Sequence, residues 1–435
     1  MSHVAPVTLQ EAQAYVHGLE MLGMRLGLNR VRALADALGD PQDAYRTIHV
    51  VGTNGKSSST RFMAAVLKEH GYRVGAYVSP HLVSLAERQI VDGMPSADEE
   101  FYSLVARVMP VAAEVEHAFP EGERLTQFEV LTATAFLYFK EMGCEVAVIE
   151  AGLGGRWDAT SIIHSEVQVV TSIGLEHTAQ LGETVLAILE EKAAVIPLGG
   201  KVMAGALEPI VKARLGEICA ERKAVVRFLD DEVSLLSGRQ QAGFDVFGAE
   251  DIYTDLRLGV LGRYQRSNAA VAVGALELFL GQALEIDSLR RGLKETVVPG
   301  RLEVLSEQPL CILDGAHNPS GMAEMVKSLD HILDRRRLIG VVSILRDKGA
   351  VEMLNDLAPR CDILFVTQNS NPRSYSAEEL ARLLEDLDHK PEVFVDSDSR
   401  SALKSAYKLA TSNQVVLVTG SLYLISDLKR SLVRL

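Results

Sequence analysis

The chain predicts an α/β protein of two domains, and three observations carry that prediction. Short β-branched runs alternate with helical periodicity along most of its length. The alternation breaks once, at Val297-Val298-Pro299-Gly300, and then restarts. The first β-branched run passes through a glycine-rich turn, Gly52-Thr53-Asn54-Gly55-Lys56-Ser57-Ser58, into an amphipathic helix, which is the order that a phosphate cradle requires.

Taken in order, an N-terminal helical stretch leads to strands expected at Thr47 to Val51, Arg73 to Val78, Glu145 to Glu150 and Val167 to Ile173. The helix after the turn has one apolar stripe, Phe62, Met63, Val66 and Leu67, and Gly71 stands where a C-terminal cap belongs. Between the second and third strands, Phe128, Leu131, Ala135, Phe136 and Phe139 fall on one helix face. A largely parallel sheet follows, with ligands outside the carboxyl ends of its strands. Residues 200 to 260 read as smaller strands and loops completing a first domain over 1–298. In a second domain over 299–435, strands are expected at Cys311 to Leu313, Leu338 to Ile344, Asp362 to Thr367, Val393 to Val395 and Gln414 to Thr419. Ser376 and Glu379 form a capping box there, and the whole reads as a smaller, doubly wound, Rossmann-like unit.

With 435 residues, 47% hydrophobic and 23% charged, the chain is globular and long enough for two cores. The first thirty residues lack the apolar core of an export signal and no stretch approaches a membrane span, so a cytoplasmic protein without a membrane partner is expected. Cys144, Cys219, Cys311 and Cys361 lack metal or redox spacing and read as small core residues. A balance of 44 basic and 58 acidic residues, formally −14, excludes non-specific binding to nucleic acid. An anionic ligand therefore needs a local basic site, and Lys56, Arg88, Arg156, Lys192 and Arg301 lie near glycine-rich or strand-end motifs.

In the turn, backbone N–H groups and the helix dipole favour phosphate, Lys56 reaches terminal phosphates, and a hydroxyl can ligate Mg²⁺. Only two residues separate the two glycines, against four in the common P-loop. Glu150 ends an apolar strand and precedes Ala151-Gly152-Leu153-Gly154-Gly155-Arg156-Trp157-Asp158-Ala159-Thr160. One carboxylate, one hydroxyl and the nucleotide's oxygens nearly satisfy Mg²⁺, which retains waters. On pattern alone His177 reads as a structural loop histidine and Lys192 as an exposed helix lysine beside acids.

The short turn resembles the ATP-binding turn of the Mur ligase superfamily, and the whole chain resembles its folate branch, the folylpolyglutamate and bifunctional dihydrofolate synthases. The matching segments include Ser79-Pro80-His81-Leu82, Leu125 to Phe128, Glu150 to Thr160, Thr171 to Thr178, Glu191-Lys192-Ala193, Leu261 to Gln265 with Asn268, Pro299-Gly300-Arg301, Asp314 to Pro319 and Thr419 to Tyr423. The resemblance implies an ATP- and Mg²⁺-dependent ligase that joins L-glutamate to a folate or to dihydropteroate through an acyl phosphate. It places ATP on Thr53, Asn54, Gly55, Lys56, Ser57, Ser58, Asn268, Arg301, Asp314 and His317, with Lys56, Lys192 and His317 catalytic. It implies Ser58, Glu150 and His177 as metal ligands, joined by Lys192 once CO2 has carbamylated it. The pterin side is implied to use His81, Arg88, Thr126, Phe128, Trp157, Asp158 and Ala159. Four departures stand out: Ser57 replaces a usual glycine, Ser161 a usual asparagine, Ala86 an often polar residue before Glu87-Arg88, and Met24-Arg25-Leu26 carries a cation where some dihydrofolate synthases have an acid. Folylpolyglutamate synthesis alone, a cell-wall Mur ligase acting on a UDP-sugar peptide, and an inactive nucleotide-binding scaffold are the rival readings. A monomer is expected.

Overall fold

Valine and isoleucine fill the strands at the centre of each sheet, because strands covered on both faces need apolar side chains on both. The computed structural model describes residues 7–20, 23, 25–237, 243–385, 387 and 390–432. It divides into two units: residues up to Arg257 with Ser267–Thr296, and Leu258–Arg266 with the chain from Val297 onward. Among the described residues no helix is long and apolar enough to cross a membrane.

The first unit holds β1 (Arg46–Val51), β2 (Val74–Tyr77), β3 (Gln89–Val91), β4 (Met94–Pro95), β5 (Val146–Glu150), β6 (Val167–Val170), β7 (Lys201–Ala204) and β8 (Val225–Phe228). Their order is β4-β3-β2-β5-β1-β6-β7-β8, parallel except for the β3–β4 hairpin at one edge. The hairpin was not expected from periodicity; it is too short to show any, and Asp92 and Gly93, with φ of 51° and 85°, turn it. The strand expected to reach Ile173 stops at Val170, because Thr171 and Ser172 engage the neighbouring turn instead. A small antiparallel sheet, β9 (Ser234–Ser237), β10 (Phe244–Phe247) and β11 (Ile252–Leu256), accounts for part of the irregular 200–260 region.

Its helices begin with α1 (Leu9–Leu19), α2 (Asn29–Ala37), α3 (Lys56–Glu69), α4 (Asp98–Glu116) and α5 (Gln127–Glu141). Two more, α6 (Thr178–Leu181) and α7 (Val185–Ala193), follow β6. Helix α3 starts directly after Gly55, at φ 87°, and Gly71 ends its last turn at φ 90°, values that L side chains avoid. Helix α5 starts from a complete Thr126–Glu129 capping box and packs Val130, Phe136 and Phe139 into the core beside Ile149 and Ala159. The Phe139 ring lies 2.7 Å from where a Cβ of Gly75 would stand, so glycine lets the helix approach β2. Emptying that contact with Phe139→Ala would cost about 3–5 kcal/mol.

The second unit holds β12 (Glu303–Glu307), β13 (Leu310–Leu313), β14 (Arg337–Val342), β15 (Ile363–Val366), β16 (Glu392–Val395) and β17 (Gln414–Thr419). The order is β12-β13-β17-β14-β15-β16, parallel but for β12, with the expected Ser376–Glu379 capping box on one covering helix. All four cysteines are buried and free.

Candidate active site

Parallel register sets β2, β5, β1 and β6 side by side, so their carboxyl ends bring Ser79, Glu150, Gly52 and Thr171 to one edge of the first sheet. A Cβ at Gly52 would fall 2.0 Å from Thr171 Oγ1, and one at Gly55 would fall 2.5 Å from Asn268 Oδ1. Both glycines are therefore required by close approach as well as by φ. The turn is strapped to the end of β6: Thr53 N donates to Ser172 O at 2.8 Å, Asn54 N to Ser172 Oγ at 2.9 Å, and Thr171 Oγ1 to Asn54 O at 2.7 Å. Thr53 and Asn54 thus shape the turn with their N–H groups, leaving the start of α3 to face an anion. Thr171 and Ser172 act as buttresses, and the sequence signal for them was their place at the end of the neighbouring strand.

Two ammonium groups converge on one oxygen. Lys56 Nζ donates to Gly52 O at 3.0 Å and to Thr53 O at 3.1 Å, while Lys192 Nζ, from α7, donates to Gly52 O at 2.8 Å. Lys192 is 4% exposed, which corrects the exposed helix lysine that pattern alone suggests. Burial first, and then repulsion from Lys56, hold its ammonium down to about 7. Periodicity missed this because α7 turns that face toward the glycine-rich turn after β5: a Cβ at Gly155 would sit 2.7 Å from Lys192 O.

Glu150 ends β5, the strand beside β1. Its Oε1 accepts from Ser57 Oγ at 2.9 Å and its Oε2 from Ser79 N at 3.2 Å. The serine that the structure sets against this carboxylate is Ser57, while Ser58, one helix position on, is buried at 3% exposure. His177 precedes α6 at φ 52° with Nε2 3.9 Å from Glu176 Oε1. Among the described residues no three His, Cys, Asp or Glu side chains form a ready cage. The carboxylate and serine oxygens around Glu150 nonetheless suit a hard cation that keeps waters and takes phosphate oxygens.

Beside this edge opens a cavity of about 370 Å³, walled by Arg88, Thr126, Phe128, Trp157, Asp158 and Ala159 among others. These are six of the seven residues expected on the pterin side. The seventh, His81, accepts from Arg88 Nε at 3.2 Å through Nδ1. Thr126 is buried as the cap of α5, and the Phe128 ring lies over Gly152, 2.5 Å from where a Cβ would stand. Asp158 staples its own turn, accepting from Leu153 N at 2.8 Å, from Thr160 N at 3.0 Å and from Thr160 Oγ1. Burial raises its carboxyl above the usual range against the pull of those bonds. Arg25 also lines the cavity and donates to Gly122 O at 3.0 Å; Met24 lies outside the described residues. Arg30, buried against Glu129, donates to Arg25 O at 2.9 Å and steadies that wall. Arg156 turns away to Glu191 at 2.8 Å.

The second unit gathers Arg301, Asp314 and His317 at the ends of β12 and β13. Asp314 Oδ2 accepts from Tyr264 Oη at 3.1 Å and Leu302 N at 3.0 Å, and its Oδ1 from Ala316 N at 2.8 Å. Burial raises this carboxyl, and Arg301 opposes the shift. A Cβ at Gly315 would fall 2.3 Å from Arg301 Nη1, and His317 Nδ1 donates to Gly315 O at 2.8 Å.

A parallel sheet with a Gly-x-x-Gly-Lys turn at β1, followed by a second doubly wound unit, is the architecture of the Mur ligases. The Mur ligase middle domain matches residues 50–276 and the Mur ligase glutamate ligase domain residues 300–422. The Bacillus subtilis dihydrofolate synthase/folylpolyglutamate synthase is 33% identical over 433 residues, covering 97% of this chain and 99% of its own. Mycobacterium tuberculosis folylpolyglutamate synthase, complexed with ADP and AMPPCP, superposes with a TM-score of 0.91 at 32% identity, covering 98% and 99% of the two chains. A bifunctional folylpolyglutamate synthase/dihydrofolate synthase with Mn, AMPPNP and L-glutamate bound gives 0.85 at 31%, covering 98% and 100%. The chain belongs to the dihydrofolate synthase/folylpolyglutamate synthase family of Mur ligases.

Proposed function

We propose that this protein is an ATP-dependent amide ligase that joins L-glutamate to the carboxylate of a reduced folate and of dihydropteroate. The observation that carries this reading is the pairing of two strand-end turns, one ending in Lys56 at a helix N-terminus and the other opening on the cavity of Phe128, Trp157 and Asp158. An anion cradle beside a partly aromatic cavity suits a nucleotide beside a heterocycle.

In this reading Lys56, the backbone at the start of α3 and Asn268 take the nucleotide's phosphates. Glu150 and the neighbouring serines, with His177, would hold a divalent cation, which would supply charge to neutralise phosphate oxygens. The substrate's carboxylate attacks the γ-phosphorus and ADP leaves. The α-amine of glutamate then attacks the acyl phosphate, forming the amide and releasing phosphate. Lys56 screens the repulsion between the two anions, and no side chain acts as a covalent nucleophile. Lys192 fits a further role, because an amine near 7 is partly neutral at working pH and attacks CO2 with loss of a proton, giving a carbamate anion at the β1 turn. Carbon-13-labelled bicarbonate should then give a carbamate resonance that Lys192→Met abolishes.

Glutamate-dependent phosphate release with dihydropteroate or tetrahydrofolate as the only acceptor tests the reading. Turnover with both is expected; turnover with tetrahydrofolate alone restricts the enzyme to polyglutamate synthesis, and turnover with neither overturns the assignment. A monomer acting in the cytoplasm completes the proposal, checked by sedimentation and cell fractionation.

A further inference from the structure

A histidine in the middle of a central strand is an expensive core residue unless something uses its hydrogen bonds. His49 sits on β1 in register with Ile149 on β5, so both side chains point to the face covered by α5. It is 2% exposed, and its neighbours include the 159–163 segment of the apolar core. Its Nε2 lies 2.8 Å from Thr160 Oγ1, and Thr160, itself fully buried, donates that hydroxyl to Asp158 Oδ1.

The protons in this chain are fixed by what each group can do. An ionised carboxylate only accepts, so the single Thr160 hydroxyl proton points to Asp158. Thr160 Oγ1 must then accept from His49, which sets the imidazole as the Nε2–H tautomer. Burial keeps that imidazole neutral, with its pKa lowered to about 4. Asp158 offers about four acceptor positions, and Leu153 N, Thr160 N and Thr160 Oγ1 occupy three. Gly152 N–H also pulls on this carboxylate, and Asp158 lines the cavity.

We infer that His49 is a positioning residue for substrate recognition: through Thr160 it orients the Asp158 carboxylate at the cavity wall toward the N–H donors of the heterocycle. The inference rests on the reading of the cavity as the pterin site. A relay of this kind is cooperative, because a hydroxyl that accepts a bond donates more strongly. It also separates two tasks, since Leu153 N and Thr160 N hold the turn whereas His49 and Thr160 Oγ1 aim the charge.

Steady-state kinetics on the full-length enzyme test this. His49→Phe and Thr160→Val should each raise the KM for the pteridine substrate roughly tenfold, with kcat and the KM for ATP moving less than about threefold. His49→Gln puts an amide N–H near the position of Nε2 and should keep the wild-type KM, and the double variant should be no worse than either single one. Should His49→Phe fail to fold, Thr160→Val against His49→Gln gives the same contrast. Loss of thermal stability with an unchanged pteridine KM in His49→Phe and Thr160→Val makes the pair a structural staple and overturns the relay. Asp158→Asn separates the two ideas: a raised pteridine KM there, without one in His49→Phe, sinks the relay alone. An unchanged KM in Asp158→Asn removes the pterin assignment of Asp158 and the relay with it.

Discussion

The turns after β1 and β5 leave adjacent parallel strands at the same edge, yet they present opposite chemistry. After β1 the backbone goes straight into α3, and the exposed features are a helix N-terminus and Lys56. After β5 the chain wanders through Gly152 to Asp158 before a short 3₁₀ turn, and it offers the cavity the exposed ring of Trp157 and the buried carboxylate of Asp158, with Phe128 of α5 beside them. The difference teaches that strand order supplies the location of a site, while the geometry of the exit decides what it receives. A tight exit aims N–H groups and suits phosphate; a loose glycine-rich exit leaves a hollow and suits a heterocycle.

Breaking the tight turn should have the largest effect. Lys56→Ala removes the only charge that the turn itself carries and should lower kcat/KM for ATP by roughly a thousandfold or more. Among the described residues Lys56 bonds only carbonyls of its own turn, so the Tm should move by less than about 3 °C. Initial-rate and calorimetric measurements check both, and near-normal ATP use would end the assignment of the cradle.

Glu150 stands between the two turns, and Glu150→Gln keeps its shape while removing its charge. Activity should fall roughly a hundredfold and the divalent-ion concentration for half-maximal rate should rise. A loss of activity with unchanged metal dependence would move the cation away from this strand end.

On the loose side the effect should be smaller and confined to one substrate. Trp157 is 47% exposed, so Trp157→Ala leaves folding untouched. It should raise the folate KM roughly 3- to 10-fold, in line with the worth of an aromatic contact, and leave the ATP KM alone. An equal rise in both would mean that the two turns form one recognition surface and not two.

The same contrast explains what could be read from the sequence. The β1 turn was legible because its chemistry is local: two glycines, one lysine and a strand–helix order lie within a dozen residues. The parallel cores were legible too, since β-branched runs and helix stripes are short-range patterns. Ser79 and Ser57 against Glu150, the Thr171 and Ser172 buttress, and the burial of Lys192 were hidden. Each depends on contacts across 71 to 140 positions, which the sheet order sets and no period reveals. The edge hairpin at β3 and β4 escaped for a different reason, being shorter than one repeat of any pattern.

Lys192 carries the smallest expected effect and the sharpest test of the tight turn. Its amine titrates near 7 in the folded protein against 10.5 when unfolded, so between those values the unfolded chain binds more protons. Stability attributable to this group must then rise with pH across that window, with the full penalty present below about 7. In chelator-treated, bicarbonate-free buffer, the Tm of the wild type should gain on that of Lys192→Met by a few degrees between about pH 7 and pH 9. Comparison with Lys192→Met cancels the other titrating groups. Lys56→Ala should flatten the gain, because removing the second cation on Gly52 O takes away one of the two causes holding the amine down. The neutral amine still donates to Gly52 O, so the bond survives the titration and only the charge is lost. A wild-type gain of zero would show an ordinary ammonium at this position, and with it the chemistry needed to capture CO2 would be gone.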